Sequence, residues 1–489
     1  MNQENNYKLT IGIECHVQLK TKTKLFSGAL NVDDQEIPNK DINHIDFGLP
    51  GALPVLNSNA IYLASRAAFA LNSKPQRFSK FDRKHYFYPD LPMGYQITQY
   101  DQPIIIGGYV QFISNNKLVK INITRAHLEA DAGKSIHPGN KDYSLVDLNR
   151  SGTPLLEIVS EPDIKSALQA RQYAETLYLL MRYADVTNGN LYYGNMRFDV
   201  NISISRNKDL GQRVEIKNVN SFKSIERAIN YEYKRQSKLL DTNQEVRQET
   251  RGWDDPKGCT YSLRSKENAD DYRYMPDPDL PPILLDEAYI QDVKKSMPLM
   301  PDYWFYKLKD LGLDESIIYS LLEDGLDNDF KNLKFIVSLN KEEAKLITNY
   351  IVNIEIPLTH ESNQKILNIE DRHKLYLSIY SLVSQNRINS TALKILIKDI
   401  LMASSLPDID SYIKSHNLAQ NSNQDELLEV AINTIKNNPK VTKDILSGQD
   451  KAIQYLVGQV MKETKGQANP LIIQDIINQE IEKLKNVKN

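Results

Sequence analysis

The sequence predicts an α+β protein, with a strand-rich, antiparallel-sheet N-terminal part followed by an all-helical remainder. Three observations carry this. Turn-formers crowd the first part, with 17 of the 21 prolines and 15 of the 20 glycines before residue 302; frequent turns between short apolar runs mark strands, and their scarcity marks helices. Several early segments alternate apolar and polar residues with period two, as a sheet with one covered face requires. Beyond residue 302, apolar residues recur at helical spacing.

The elements follow in order. Leu9–Leu19 puts Leu9, Ile11, Ile13, Cys15, Val17 and Leu19 on one face and Thr10, Gly12, Glu14, His16 and Gln18 on the other. A second run passes from Ile121 and Ile123 into His127, Glu129 and Asp131. All five share one parity, so the polar three can join the other acids only across a bulge or loop. Arg197–Ile204 turns Phe198, Val200, Ile202 and Ile204 inward and Arg197, Asp199, Asn201 and Ser203 outward. Arg213–Val219 sets Val214 and Ile216 against Arg213, Glu215 and Lys217. The proline-rich stretch Pro276–Pro301 is the boundary. Helices are expected at Asp302–Leu311, Lys341–Ile354, His373–Gln385 and Ser390–Ala403, and a turn cluster around Ser404, Ser405, Pro407 and Asp408 then opens a tail. In the tail, Asp450–Thr464 reads as an amphipathic helix stopping at Gly466, with Lys462 and Lys465 at its dipole-negative end. Asn469 caps, and Pro470 begins, a last helix. The expected domains are 1–295, 296–408 and 409–489.

Composition narrows the function classes. The 489 residues carry 60 Lys and Arg against 63 Asp and Glu, a formal charge of −3, so any nucleic-acid contact works through local patches. No stretch approaches about 18 consecutive apolar residues, which speaks against a membrane span, and Met1–Lys8 lacks the apolar core of a secretory signal. Cys15 and Cys259 are too few for a disulfide framework or a four-cysteine zinc site. A cytoplasmic location is expected.

The polar strand faces hold Glu14, His16, Asp199, Glu215 and Lys217, with His127, Glu129 and Asp131 nearby in sequence. Carboxylates with an imidazole suit a hard divalent cation; the wet side of a sheet presents the same pattern without one. Ala132-Gly133-Lys134-Ser135 imitates a phosphate loop, but Leu128 stands where that motif needs its first glycine. Lys134 fits either a point charge for phosphate or, more ordinarily, a solvated surface lysine. Two aromatic and charged stretches, Lys80–Asp90 and Asp270–Asp279, fit either the stacking of a single-stranded RNA end or a core strand with a charged edge.

Longer motifs carry a resemblance. They are Ile11-Gly-Ile-Glu-Cys-His-Val-Gln-Leu19, His127-Leu-Glu-Ala-Asp-Ala-Gly-Lys134, Asp147-Leu-Asn-Arg-Ser-Gly-Thr-Pro-Leu-Leu-Glu-Ile-Val-Ser-Glu-Pro-Asp163 and the terminal Gly466-Gln-Ala-Asn-Pro470. Together with Lys80–Asp90 and Asp271–Asp279, they resemble the B subunits of bacterial aspartyl/glutamyl-tRNA amidotransferases over nearly the whole chain.

The resemblance implies a glutamine synthetase-like cradle, a helical domain and a tRNA-binding tail. It also implies ATP-dependent phosphorylation of the side-chain carboxylate of Glu-tRNA(Gln) or Asp-tRNA(Asn), followed by amidation with ammonia from a partner amidase; a small third protein makes up the heterotrimer. Carried onto this chain, the metal role falls on Glu14, His16, Glu129, Asp131, Asp199 and Glu215, holding Mg²⁺ or Mn²⁺. Catalysis falls on Glu14, His16, Glu129, Glu215 and Lys217, and nucleotide contact on Lys134 and Arg150. Two departures stand out. Ala130 replaces an acid common in the family, leaving Glu129 and Asp131 to suffice. Phe26–Asp46 has none of the four cysteines of zinc-bearing members, so no zinc is expected.

Overall fold

A computed structural model describes residues 7–33, 37–139, 141–207, 209–265, 269–326, 329–361, 366–416, 418–419, 424–447, 452–464, 468 and 470–487. The chain divides into two compact units, residues 1–301 and 302–489.

A nine-stranded sheet organises the first unit. Its strands are β1 (Lys8–Gln18), β2 (Ile105–Ile106), β3 (Tyr109–Ser114), β4 (Lys117–Ala130), β5 (Pro154–Ser160), β6 (Met196–Ser205), β7 (Val214–Val219), β8 (Glu249–Asp254) and β9 (Cys259–Ser265). They lie in the order β9-β8-β7-β6-β1-β5-β4-β2, and β3 pairs with β4. The expected antiparallel sheet needs one correction: β7 and β8 run parallel. A parallel pair needs a crossover, supplied here by helix α2 (Phe222–Asp241), which follows an earlier helix α1 (Ala167–Tyr183). Both pack on the sheet's apolar side, α1 on β3 and α2 on β6, β7 and β9. There Tyr173, Leu177, Ile225 and Ile229 meet Ile11, Ile13, Cys15 and Val17, all buried. Each helix begins with a serine cap: Ser166 accepts from Gln169 N and Ser221 from Ser224 N.

Two bulges decide which residues face away from this core. Between β4 and β5 the register slips, Val159 opposing Arg125 and Ser160 opposing Ile123. Thr124 is the extra residue. Before it Ile121 and Ile123 are buried; after it Ala126 and Leu128 are, which sends His127 and Glu129 to the opposite face. The parity conflict in the sequence is resolved by this bulge. Between β6 and β7, Lys217 and Asn218 together oppose Asp199, with Asn218 at φ 63°, a left-handed conformation that asparagine tolerates.

A small three-stranded sheet of Met275–Pro276, Asp82–His85 and Tyr95–Thr98 joins the two aromatic stretches to one another. Arg83 clamps them, Nε to Asp277 Oδ2 at 2.8 Å and an Nη to Asp279 Oδ2 at 2.7 Å. Lys84 lies over the Tyr272 ring at 4.6 Å. Phe81 is core, whereas Phe87 is exposed, so the stretch is part core and part surface.

The second unit is helical. Pro301–Asp310, Lys341–Tyr350, Ile369–Ser384, Ser390–Leu401 and Ile453–Glu463 fall within a few residues of the spacing-based expectations. Asp450, Lys465, Gly466 and Asn469 lie outside the described residues. A separate apolar core joins Leu427, Ala431, Leu456, Val460, Ile473 and Ile477. The helix from Lys341 loosens at Ile351–Glu355 into a π-helical turn, a form used mostly in single turns. It buries the Glu355 carboxylate, which is paired with Arg372 and accepts from Tyr376 OH at 2.6 Å. Burial pushes the Glu355 carboxyl up, opposed by Arg372 and the Tyr376 hydroxyl. Removing that hydroxyl with Tyr376→Phe is expected to destabilise this unit by about 2 kcal/mol, read as an earlier transition in urea. An unchanged midpoint would contradict the bond's contribution.

Candidate active site

The polar face of the sheet gathers two triplets of ligand-type side chains, and β1 contributes to both. Glu14 and His16 are two residues apart, so they project from the same face. Across one edge of β1, Glu14 opposes Asp199 of β6; across the other, His16 opposes Glu157 of β5. Glu129 comes in from β4 and Glu215 from β7. In the first triplet, His16, Glu129 and Glu157, one ligand atom of each lies within 4.8 Å of the others. His16 Nε2 is 3.6 Å from Glu129 Oε1 and 3.8 Å from Glu157 Oε2. Glu14, Asp199 and Glu215 form the second triplet on the same criterion.

Hydrogen bonds fix these groups. Asn201 Nδ2 donates to Glu14 Oε1 at 2.8 Å, and Thr250 Oγ1 to Glu215 Oε2 at 2.8 Å. Lys217 Nζ bridges the second triplet, 2.5 Å from Asp199 Oδ2 and 3.2 Å from Glu215 Oε1. Burial pulls the Lys217 ammonium down, but the two carboxylates outweigh it and hold it above the usual lysine range. His127 backs the first triplet, its Nε2 3.1 Å from Glu157 Oε2 and 3.8 Å from Glu129 Oε2. Burial opposes its charge, yet Glu157 and Glu129 push it up to about 9. Burial raises Glu157, and His127, His16 and Lys84 more than reverse this, holding it well below the usual carboxylate range.

Other residues of the sequence analysis sit differently. Asp131 belongs to neither triplet; Arg197 grips it at 2.8 Å and Arg150 at 3.2 Å. Arg150 also donates to the carbonyls of Ala132 and Gly133, at 3.1 and 2.8 Å, and so braces that turn. Lys134 starts a short strand, Lys134–Ile136, paired with Leu145–Asp147, and is exposed. Lys134, Arg150, Glu14 and Glu215 are not among the residues that line the cleft of about 880 Å³ opening over the sheet face. His16, Glu129, Asp131, Glu157, Arg197, Asp199 and Lys217 line it, together with Lys84 of the small sheet and Tyr86 just beyond its strand.

Two of these residues escaped the sequence reading. Glu157 is an acid between Leu156 and Ile158, an interruption of an apolar strand that was a usable signal. Lys84 lay within a stretch whose side chains composition could not orient. The chemistry of the set is clear: oxygen donors with one imidazole, closely grouped on rigid strands, fit one hard divalent cation per triplet.

Comparison with known proteins gives the family of the chain. The model of the GatB/GatE catalytic domain matches residues 9–291, and that of the GatB domain matches 334–481. The B subunit of the aspartyl/glutamyl-tRNA(Asn/Gln) amidotransferase of Caldicellulosiruptor bescii is 39% identical, over 98% of this chain and 100% of its own length. The protein of that name from Persephonella marina is 39% identical, over 97% of this chain and 99% of its own. With one family model spanning more than half the sequence and relatives aligned almost end to end, the chain belongs to the GatB family.

Proposed function

We propose that this protein is the activating subunit of an ATP-dependent tRNA amidotransferase. Its substrates are Glu-tRNA(Gln), Asp-tRNA(Asn) or both, its products Gln-tRNA(Gln) and Asn-tRNA(Asn), and its partners an amidase and a small third protein of the same heterotrimer in the cytoplasm. The observation that supports it most is the pair of triplets side by side on one sheet, with Lys217 and Lys84 at the same cleft.

A carboxylate is a poor acyl electrophile, so amide formation requires activation. An oxygen of the substrate's side-chain carboxylate attacks the γ-phosphorus of ATP; the bond to the β-γ bridging oxygen breaks and ADP leaves. Ammonia then attacks the carbonyl carbon of the acyl phosphate, the C–O bond breaks towards phosphate, and the nitrogen sheds a proton. Phosphoryl transfer asks a protein mainly for positioning and charge stabilisation. Glu14, Asp199 and Glu215 would hold one Mg²⁺ or Mn²⁺, and His16, Glu129 and Glu157 a second. A cation held there would supply charge neutralisation to the phosphoryl group being transferred. Lys217 and Lys84 would present ammonium groups to the transferred phosphoryl oxygens, and Arg197 with Arg150 holds the Asp131 carboxylate at the cleft wall. In this reading the first unit is the glutamine synthetase-like cradle, and residues 409–489 are the tRNA-binding tail, whose modest charge leaves recognition to shape and clustered lysines.

The reconstituted heterotrimer tests this. ADP should form only with misacylated tRNA present, and removal of residues 411–489 should weaken tRNA binding. ADP formation on free glutamate alone, yielding glutamine, would replace this reading with that of a stand-alone amide ligase.

A further inference from the structure

One wall of the cleft has no task in the chemistry above. Between α1 and β6 the chain makes a tight turn, residues 190–195, that is fastened at every step. Asn190 Oδ1 accepts from the backbone N–H groups of Tyr192 and Tyr193 at 3.0 and 3.3 Å. Gly194 N donates to Leu191 O at 3.2 Å, and Asn195 N to Asn190 O at 3.0 Å. Gly194 takes φ 75°, which a side chain would strain. Asn195 is buried and staples the turn to the end of β1: its carbonyl accepts from Gln18 N at 2.7 Å, and its Nδ2 donates to Asp33 Oδ1 at 2.8 Å.

What this rigid turn displays is aromatic. Tyr192 is 90% exposed although its backbone is firmly held, and Tyr193 stands against it edge-to-face with ring centroids 5.1 Å apart. Both line the cleft, as does Phe222 at the start of α2. A large ring kept in water gains nothing for folding, whereas an aromatic face fixed in place binds a flat base at little entropic cost.

We propose that Tyr192, backed by Tyr193, is the stacking platform for the base of the ATP. This rests on the nucleotide reading of the cleft and extends it. The turn is anchored at Gln18, roughly 7 Å along β1 from His16. One nucleotide lying along the strand therefore reaches from the tyrosines to the His16, Glu129 and Glu157 triplet. A cleft of about 880 Å³ has room for it.

The test uses the full-length protein with Mg²⁺ and measures, by calorimetry, the affinities of a non-hydrolysable ATP analogue and of tripolyphosphate, which lacks the base. Tyr192→Ala should weaken the analogue roughly tenfold and leave tripolyphosphate unchanged, the latter also reporting an intact floor. Tyr192→Trp should restore the affinity, with its emission quenched by the analogue and not by tripolyphosphate. An Ala variant that binds the analogue as tightly as wild type overturns the proposal. So does an effect confined to the KM for charged tRNA, which would assign the ring to the terminal base of the RNA. Wild-type protein binding neither compound would overturn the nucleotide reading itself, and the platform with it.

Discussion

Replacing Glu215 with alanine is expected to reduce tRNA-dependent ADP formation about a thousandfold, equivalent to roughly 4 kcal/mol of lost transition-state stabilisation. Glu215 shares the second triplet with Glu14 and Asp199, so its loss removes an oxygen from the group best placed to hold a cation. It also removes one of the two carboxylates bridged by Lys217. The ammonium would remain paired with Asp199, so the change is written into activity far more than into folding. Stopped-time ADP assays on the reconstituted complex, with near-UV circular dichroism as the folding control, measure this. A variant retaining more than a tenth of wild-type activity would remove Glu215 from the machinery. The same assay on Glu14→Ala should give a comparable loss, and the double variant little more, because residues acting as a unit are not additive.

The second large effect is on stability. His127 is buried between Glu157 and Glu129, and breaking a buried ion pair by removing one partner costs roughly 3–5 kcal/mol. His127→Gln should therefore destabilise the cation-free protein by about 3 kcal/mol at pH 7, because it removes the buried partner of Glu157 and Glu129 and leaves only the more distant His16 and Lys84 to oppose their charge. The pH dependence has a definite sign. The folded-state pKa of His127 is about 9 against an ordinary 6.5, so its contribution is full below 6.5 and is lost as pH rises through 9. Glu157 is shifted the other way from its ordinary 4.5; its contribution is full above 4.5 and is lost as pH falls through its depressed value. Wild-type protein in a chelator should thus lose stability as pH rises from about 6.5 to about 9, and His127→Gln should lack that decline. Urea midpoints between pH 6 and 10 decide it. Parallel curves for the two proteins would mean that the pair contributes nothing specific.

Legibility varied with the kind of signal. β1 was readable because strict alternation has one structural meaning, and it delivered Glu14 and His16 with the correct face. The parity conflict between Ile123 and Glu129 was also readable, as a demand for a bulge; the position of that bulge at Thr124 was not, because nothing local marks the residue left over. Helices α1 and α2 were passed over inside a part judged by its turns, although Ser166 and Ser221 announced their starts. The crossover that α2 builds explains the one parallel pair, a long-range consequence that alternation cannot express. Asp131 shows the limit of proximity in sequence: two residues past Glu129, it is already claimed by Arg197 and Arg150. The chain divides into two compact units after Pro301, at the end of the proline-rich stretch Pro276–Pro301.

The position of β1 has a consequence for how the protein is made. It precedes every other described strand of its sheet, yet it belongs at the middle of that sheet, and both its neighbours, β5 and β6, are encoded far downstream. At about 5–20 residues per second, the nascent chain carries this strand for roughly 10–35 s with at least one hydrogen-bonding edge unclaimed and its isoleucines bare. Such an edge invites pairing with other chains, a hazard that ends when Met196–Ser205 has emerged to cover it.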